Sequence, residues 1–407
     1  MISGWTKGEG RGRAAPFAIF MLAFLARLAF SVWIAGLETP PVDDASQYDS
    51  IARSLERGGD FTVGEEGFRA HRAPVYPILL ACIYRLFGAS WTVGKVAQAL
   101  IGATTSWLTY HVGCEIAGRP LGILAGVISA LDPYCVLWAG YLLSEPLCAL
   151  FTTASTWALL RVRDNGRWTW AWAVLCGLAT LTRPNMATLL PLGLVCLWIW
   201  LPGSRMRRVT QCLLVSALFL LTLAPWTIRN YLVLHRWVPV TTVGGTVLWE
   251  ANNPYVMADP AAQGHGLHAA DLPEAQGSRG LSEVDLDAYN LNLALTYLRT
   301  HPWSIPGHLG VKLIRLWNLF PRVEPAALRW SCTGVMALLV ALLVAGMIMG
   351  WRRRDKALLP LLIPIVAVTM TALVYFGDAR IRAPAQPVVL LVAIYALVPA
   401  RKAAART

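Results

Sequence analysis

Charge is scarce in this chain, and the scarcity sets its class. Only 14% of the 407 residues are Asp, Glu, Lys or Arg, while 56% are hydrophobic. Soluble domains carry about a quarter charged residues, so a water-soluble globule is excluded and a polytopic membrane protein is expected. Acidic residues are the scarcer sign: 23 against 35 basic ones, a formal net charge of +12. The basic clusters all flank apolar runs, and no basic stretch is interleaved with aromatics. The excess is therefore assigned to loops facing anionic lipid, and no nucleic-acid partner is expected. Cysteine is present but unorganised. The eight residues, Cys82, Cys114, Cys135, Cys148, Cys176, Cys196, Cys212 and Cys332, lie within or at the ends of apolar stretches, and the polar loops hold none. With no Cys-x-x-Cys and no zinc spacing to His, neither a structural disulfide nor a thiolate metal site is expected. No internal repeat is legible, so an inverted-repeat transporter is not supported.

What is abundant is apolar sequence in lengths near the roughly 20 residues that cross a bilayer as a helix. Spans are expected near 15–37, 93–114, 120–141, 146–163, 167–183, 185–201, 209–227, 329–350, 358–376 and 384–399. The fold class that follows is an all-α integral membrane bundle of about ten spans. Residues 1–399 form one membrane domain, and 400–407 a cytoplasmic tail. The first run is too long for a signal-peptide core and ends without a cleavage site, so it reads as an uncleaved span. Segment 74–87 is short, opens with two prolines and carries Arg85. Placing it in the outer interface puts every dense basic cluster on one face, as the positive-inside rule requires; a crossing there would move the later clusters outside. The other face then collects the first outer loop, 38–92, and the long outer loop 229–328, with Asp43, Asp44, Arg72, Glu145, Arg183, Arg229, Asp378, Arg380 and Arg382.

Within the long loop, Gly244-Gly245 and Asn252-Asn253-Pro254 read as turns, and the polar 258–280 stretch as flexible. Ser282 followed three residues later by Asp285 predicts a capped helix over about 283–300, stopped before Pro302. Segment 305–320 has apolar residues at helical spacing, suited either to lying flat on the membrane or to packing on the outer mouth.

The polar residues of the outer face fall into short strings. They are Asp44-Ala-Ser-Gln-Tyr48-Asp-Ser-Ile-Ala-Arg53, Arg72-Ala-Pro-Val-Tyr76-Pro77, Leu143-Ser-Glu145-Pro146, Thr182-Arg183-Pro184, Ala224-Pro225-Trp226-Thr-Ile-Arg229-Asn230 and Gly377-Asp378-Ala-Arg380-Ile-Arg382-Ala-Pro384. In this order and on this face they resemble the polytopic GT-C glycosyltransferases that use polyprenyl-phosphate sugars, the protein O-mannosyltransferase and aminoarabinose-transferase families among them. The resemblance covers most of the chain. It implies a GT-C bundle with juxtamembrane helices and a catalytic Asp four residues before the Tyr of the first outer loop, which is Asp44. Many relatives carry an acid directly after that Asp, whereas this chain has Asp43 before it and Ala45 after. The resemblance also implies that Arg72 meets the lipid phosphate and that Glu145 faces the cavity. Some members use a divalent metal; no ligand set is legible here, and no cofactor is expected.

Glycosyl transfer needs a base for the acceptor hydroxyl and cations for the departing phosphate. Asp44 is the candidate base for a single inverting displacement, with helix capping as its alternative role; Asp43 reads as a cap, a loop residue or a second catalytic carboxylate. Arg72, Arg229, Arg380 and Arg382 are candidate phosphate contacts, each alternatively a membrane-flanking cation. Glu145, Arg183 and Tyr48 are candidate acceptor-side groups; the helix dipole also favours Glu145 where it stands, and Tyr48 also suits an interfacial anchor. Arg27 and Asp132 fall inside spans, where charges pair or function. His111, His235, His265, His268, His301 and His308 show no ligand spacing. The expected partners are a polyprenyl-phosphate sugar, membrane lipid and an acceptor glycan, lipid or protein, at the outer face of a bacterial inner membrane. The rivals are a flippase of lipid-linked glycan, which needs charges along a transbilayer path, a glycan polymerase or ligase, and a non-enzymatic scaffold.

Overall fold

A computed structural model describes residues 14–64, 67–201, 203–318 and 326–398. The principal helices are α1 (Ala14–Trp33), α2 (Asp43–Glu56), α3 (Val75–Phe87), α4 (Trp91–Ala117), α5 (Arg119–Leu131), α6 (Glu145–Arg161), α7 (Trp168–Thr182), α8 (Leu189–Trp200) and α9 (Arg205–Leu234). The outer loop contributes α10 (Gly244–Ala251), α11 (Glu283–Thr300) and α12 (Ile305–Trp317), and the C-terminal part α13 (Ala326–Arg352), α14 (Leu359–Val374), the turn α15 (Ala379–Arg382) and α16 (Gln386–Tyr395). Among the described residues no strand forms; Val63 and Phe68 make a single antiparallel bridge.

Serines open several helices by accepting a backbone amide that the first turn leaves unpaired. Ser90 accepts from the Thr92 amide at 3.2 Å, Ser204 from Arg207 at 3.4 Å and Ser282 from Asp285 at 3.2 Å. The last is the cap expected for the 283–300 helix. Close helix packing comes from missing side chains: a Cβ on Gly113 would lie 2.9 Å from the Gly122 Cα across the α4–α5 contact. Every residue of α16 is buried, the mark of a helix surrounded by others.

Helices occur at all ten expected span positions, but not all of them are long enough to cross a membrane unaided. Four described helices are long and apolar enough to cross a membrane, six if each bent pair is one span. Helices α7 and α8, at 15 and 12 residues, are too short to cross about 30 Å alone. The expected 120–141 span bends by 52° after Leu131. Pro133 has no amide to donate, and the Asp132 carboxylate caps the new turn by accepting from the Cys135 amide at 2.9 Å. Helix α3 meets α4 at 119°, so the 74–87 segment does not extend that span.

The long loop is more structured than its composition suggests. Gly244-Gly245 opens α10 instead of forming a turn. Close packing requires the second glycine: a Cβ on Gly245 would lie 2.1 Å from the Asp287 carbonyl. The 258–280 stretch, expected flexible, holds two short 3₁₀ turns and buries Leu272 beside Trp249. Helix α12 buries His308, Lys312 and Leu316, one side chain per turn, and packs on α14 and α15, while Leu313 and Ile314 remain exposed. The seven described cysteines are free. The N-terminal cations and residues 399–407 lie outside the described residues.

Candidate active site: an arginine and carboxylate ladder

Asp44 stands in the first turn of α2, but it is not the cap: Val42 occupies that position without a side-chain bond. Both Asp44 oxygens are taken by guanidinium groups. Oδ1 accepts from Arg72 Nη2, and Oδ2 pairs with Arg380 Nη1 at 2.7 Å. Arg72 Nε donates to Gln47 Oε1 at 2.7 Å, and its guanidinium carbon lies 5.5 Å from the Tyr48 ring centre. Arg380 continues the ladder, with Nε donating to Glu145 Oε1. Arg183 Nη1 reaches the same Glu145 oxygen at 2.7 Å. Ser144 closes the far side, accepting from the Tyr48 hydroxyl at 3.3 Å and from Arg183 Nη1 at 3.4 Å.

Local sequence explains how each group is presented. Glu145 is the first residue of α6, followed by a proline that needs no amide partner there. Arg183 ends α7, held by its amide on the Ala179 carbonyl before Pro184 stops the helix. Asp378 caps α15 through the Arg380 amide at 2.6 Å and so aims the Arg380 side chain. His265 Nδ1, from the outer loop, lies 2.9 Å from the other Asp378 oxygen.

The ladder's electrostatics favour an incoming anion. Burial alone would push the Asp44 carboxyl up, but Arg72 and Arg380 hold it down at about 2. Burial works against the Arg380 charge, yet Glu145 and Asp44 keep its pKa above the ordinary arginine value. Three guanidiniums (Arg72, Arg380, Arg183) meet two carboxylates (Asp44, Glu145), which leaves one positive charge uncompensated among these five. Partly buried charge without a counter-charge is costly, so an anion is favoured there.

Of the other expected site residues, Asp43, Arg229 and Arg382 lie apart from the ladder, while Tyr48 lies beside it. Asp43 is exposed, has φ +50° and makes no side-chain bond; its carbonyl accepts from Ser46 Oγ at 2.7 Å. Tyr48 is buried, its ring edge-on to Tyr76 at 5.0 Å, so it is no interfacial anchor. Arg229 lies over Trp226 and donates Nη1 to the Arg69 carbonyl at 2.6 Å, three residues from Arg72. Arg382 is fully buried near Tyr134 and Trp317 and donates Nη1 to the Leu316 carbonyl at 3.3 Å. Two residues along a helix turn the side chain by roughly 200°, so Arg380 and Arg382 cannot share a face. Arg27 and Asp132 do not pair: Arg27 donates to the Ala23, Ala130 and Ser129 carbonyls, and Asp132 accepts from Cys135 and Gln386.

Several residues that sequence reading passed over support the site. The Glu283 carboxylate accepts from the Arg69 and Ala70 amides and from Thr242 Oγ1 at 3.1 to 3.2 Å, tying the long loop to the strand of chain that carries Arg72. Buried Asp49 accepts from Tyr84, Trp91 and Arg53 and ties α2 to α3 and α4. Glu250, mostly buried on α10, has its carboxyl pushed up by burial, with the Asp44 charge adding to the shift. No group of three or more His, Cys, Asp or Glu side chains placed to hold a metal occurs among the described residues.

Comparison with known proteins supports the fold. The sequence profile of the family described as dolichyl-phosphate-mannose-protein mannosyltransferase matches residues 71–228. That stretch includes Arg72, Glu145 and Arg183 and leaves out Asp44 and Arg380. The archaeal oligosaccharyltransferase AglB from Archaeoglobus fulgidus, solved with an inhibitory peptide and a dolichol-phosphate, is 15% identical with a TM-score of 0.58, covering 94% of this chain and 50% of its own. ArnT from Cupriavidus metallidurans, in the apo state, is 15% identical with a TM-score of 0.43, covering 94% and 77%. A protein of Aquifex aeolicus (strain VF5) described only as uncharacterized is 23% identical over 222 residues, 53% of this chain and 44% of that protein. The chain spans about half the length of AglB and less than half of the Aquifex protein. The likeness to AglB is one of fold. The profile match covers less than half of the chain and the AglB likeness concerns its fold; the chain is an integral membrane protein whose described residues form helices and no strand.

Proposed function

We propose that this protein transfers a glycosyl group from a polyprenyl-phosphate-linked donor to a hydroxyl-bearing acceptor at the extracytoplasmic face of the membrane. The observation that carries this reading is the ladder Arg72–Asp44–Arg380–Glu145–Arg183 at the ends of the bundle helices, a carboxylate held among guanidiniums with positive charge to spare. In the reaction the acceptor oxygen attacks the anomeric carbon and its proton passes to the Asp44 carboxylate. The bond between the anomeric carbon and the phosphate oxygen breaks, and its electron pair stays on the phosphate. Arg72 and Arg380 stabilise that charge as it develops. Glu145, itself paired with Arg183, holds Arg380 in place, and one displacement inverts the anomeric centre.

A lipid-linked donor suits a site outside the reach of cytosolic nucleotide sugars. The flippase alternative needs mobile charges along a bilayer path. The buried Arg27 is instead bonded to backbone carbonyls and the charged ladder collects at one end. Purified protein incubated with a panel of polyprenyl-phosphate sugars and candidate acceptors tests the reading. Transfer that Asp44→Asn abolishes without loss of folded protein supports it; full transfer by that variant removes Asp44 from the chemistry.

A further inference from the structure

Asp44 is fully engaged in the one arrangement that a base should avoid. Each of its oxygens accepts from a guanidinium, Arg72 on one side and Arg380 on the other. A carboxylate so paired is a weak acceptor for a hydroxyl proton. The same two guanidiniums are the groups that the donor phosphate would need. The other candidate arginines are engaged elsewhere: Arg183 is committed to Glu145, Arg229 to the Arg69 carbonyl, and Arg382 is buried near Tyr134 and Trp317.

We infer that Asp44 is a resident counter-ion that the donor phosphate displaces, so that Arg72 and Arg380 move from carboxylate to phosphate and the base is freed only when donor is bound. This rests on the proposed glycosyl transfer and adds to it a coupling between donor occupancy and base strength.

Charge balance supports the exchange at each stage. Three guanidiniums and two carboxylates leave one positive charge. A sugar phosphodiester brings one negative charge, and the site becomes neutral. Transfer turns the diester into a phosphomonoester carrying one more negative charge, while the acceptor proton neutralises Asp44. The site stays neutral throughout, and the guanidiniums follow the charge from Asp44 to the phosphate. Neither step leaves an unpaired ion in a partly buried site, where it would be costly. The surroundings allow Asp44 to be released without being stranded. Gln47 already holds Arg72 Nε, and Glu145 already holds Arg380 Nε, so each guanidinium keeps one anchor while its Nη atom changes partner. The other titratable groups whose charges reach Asp44 or its arginines include His71, Glu250, Arg183, Asp378 and Tyr48, and none of these five bonds to either Asp44 oxygen. Resident pairing also keeps the base quenched when the site is empty.

The exchange makes a prediction opposite to that of a simple binding carboxylate. Undecaprenyl phosphate, which carries the lipid phosphate without a sugar, is the probe, titrated into the full-length protein in detergent. Removing the competing anion in Asp44→Asn should tighten binding about tenfold, the ratio that about 1.4 kcal/mol of released pairing produces. Asp44→Glu, which keeps a carboxylate, should bind like wild type, and Arg72→Gln should bind more weakly. A second variant, Asp44→Ala, repeats the test if the Asn protein does not fold. Wild-type binding weakened by Arg72→Gln, with no tightening in either neutral variant, overturns the exchange while leaving the phosphate site standing. Binding that is absent in wild type and in both neutral variants overturns the phosphate site itself, and the exchange with it.

Discussion

Glu145 holds two arginines through one oxygen: Oε1 accepts from Arg380 Nε and lies 2.7 Å from Arg183 Nη1. The carboxylate is buried, and its partners come from two other parts of the chain, the end of α7 and the turn α15. Glu145 therefore sets where Arg380 can stand, and with it one side of Asp44.

Glu145→Gln removes the negative charge and leaves both guanidiniums. Breaking a buried pair by deleting one partner costs about 3 kcal/mol or more. The variant should unfold at clearly lower temperature in detergent and lose most of its transfer rate. A stability equal to wild type would show that the arginines find other partners.

Arg72 makes two directed bonds, to Asp44 and Gln47, from different nitrogens of one planar group. A lysine cannot reproduce that fork. Arg72→Lys should raise the KM for a polyprenyl-phosphate sugar about tenfold. Arg229→Lys should leave that KM near wild type, because Arg229 bonds the Arg69 carbonyl and no ladder carboxylate. Equal effects of the two substitutions would place both arginines in one cradle.

The pairing of Asp44 gives a pH signature. Its folded pKa of about 2 lies below the ordinary 3.8, so the stabilisation it contributes is complete above about 4 and is lost as pH falls through 2. For the free enzyme, kcat/KM should show no Asp44 inflection between about pH 4 and 5, where an unpaired carboxylate titrates. At saturating donor, kcat should show an inflection displaced upward, since the arginines are then on phosphate. Glu250→Gln serves as the control for the neighbouring carboxyl. An inflection in kcat/KM near 4 that persists in Glu250→Gln would show that the Asp44 carboxylate is unpaired in the empty site.

Glu283 binds the amides of Arg69 and Ala70, next to Arg72 in sequence but far from Glu283 along the chain. Glu283→Ala leaves these amides without their acceptor, a loss of about 1 to 3 kcal/mol. Hydrogen exchange at Arg69 and Ala70 should accelerate in the variant, with a smaller change in α4 and α5. Unchanged exchange at both amides would mean that other contacts hold the two loops together.

Much of this architecture was legible from one sequence. Low charge and long apolar runs specify a helical membrane protein, because bilayer hydrocarbon admits only backbone that bonds to itself. The cap at Ser282 gave the α11 start, since capping depends on residues within one turn. Asp44, Arg72, Glu145 and Arg183 could be singled out as polar residues bordering apolar runs. Partnerships could not be read. Arg380 and Glu145 are 235 positions apart, and nothing local to either records the other. Sequence reading grouped Arg229 and Arg382 with Arg72 because all were cations at one end of the bundle. Tertiary structure separated them, because helical rotation turns Arg382 away from Arg380 and Arg229 is held by a backbone carbonyl. It also made Asp43 and Asp44 unequal: one is exposed at positive φ, the other held by two arginines. Which ions meet depends on how distant helix ends converge, and that is settled only when the bundle packs.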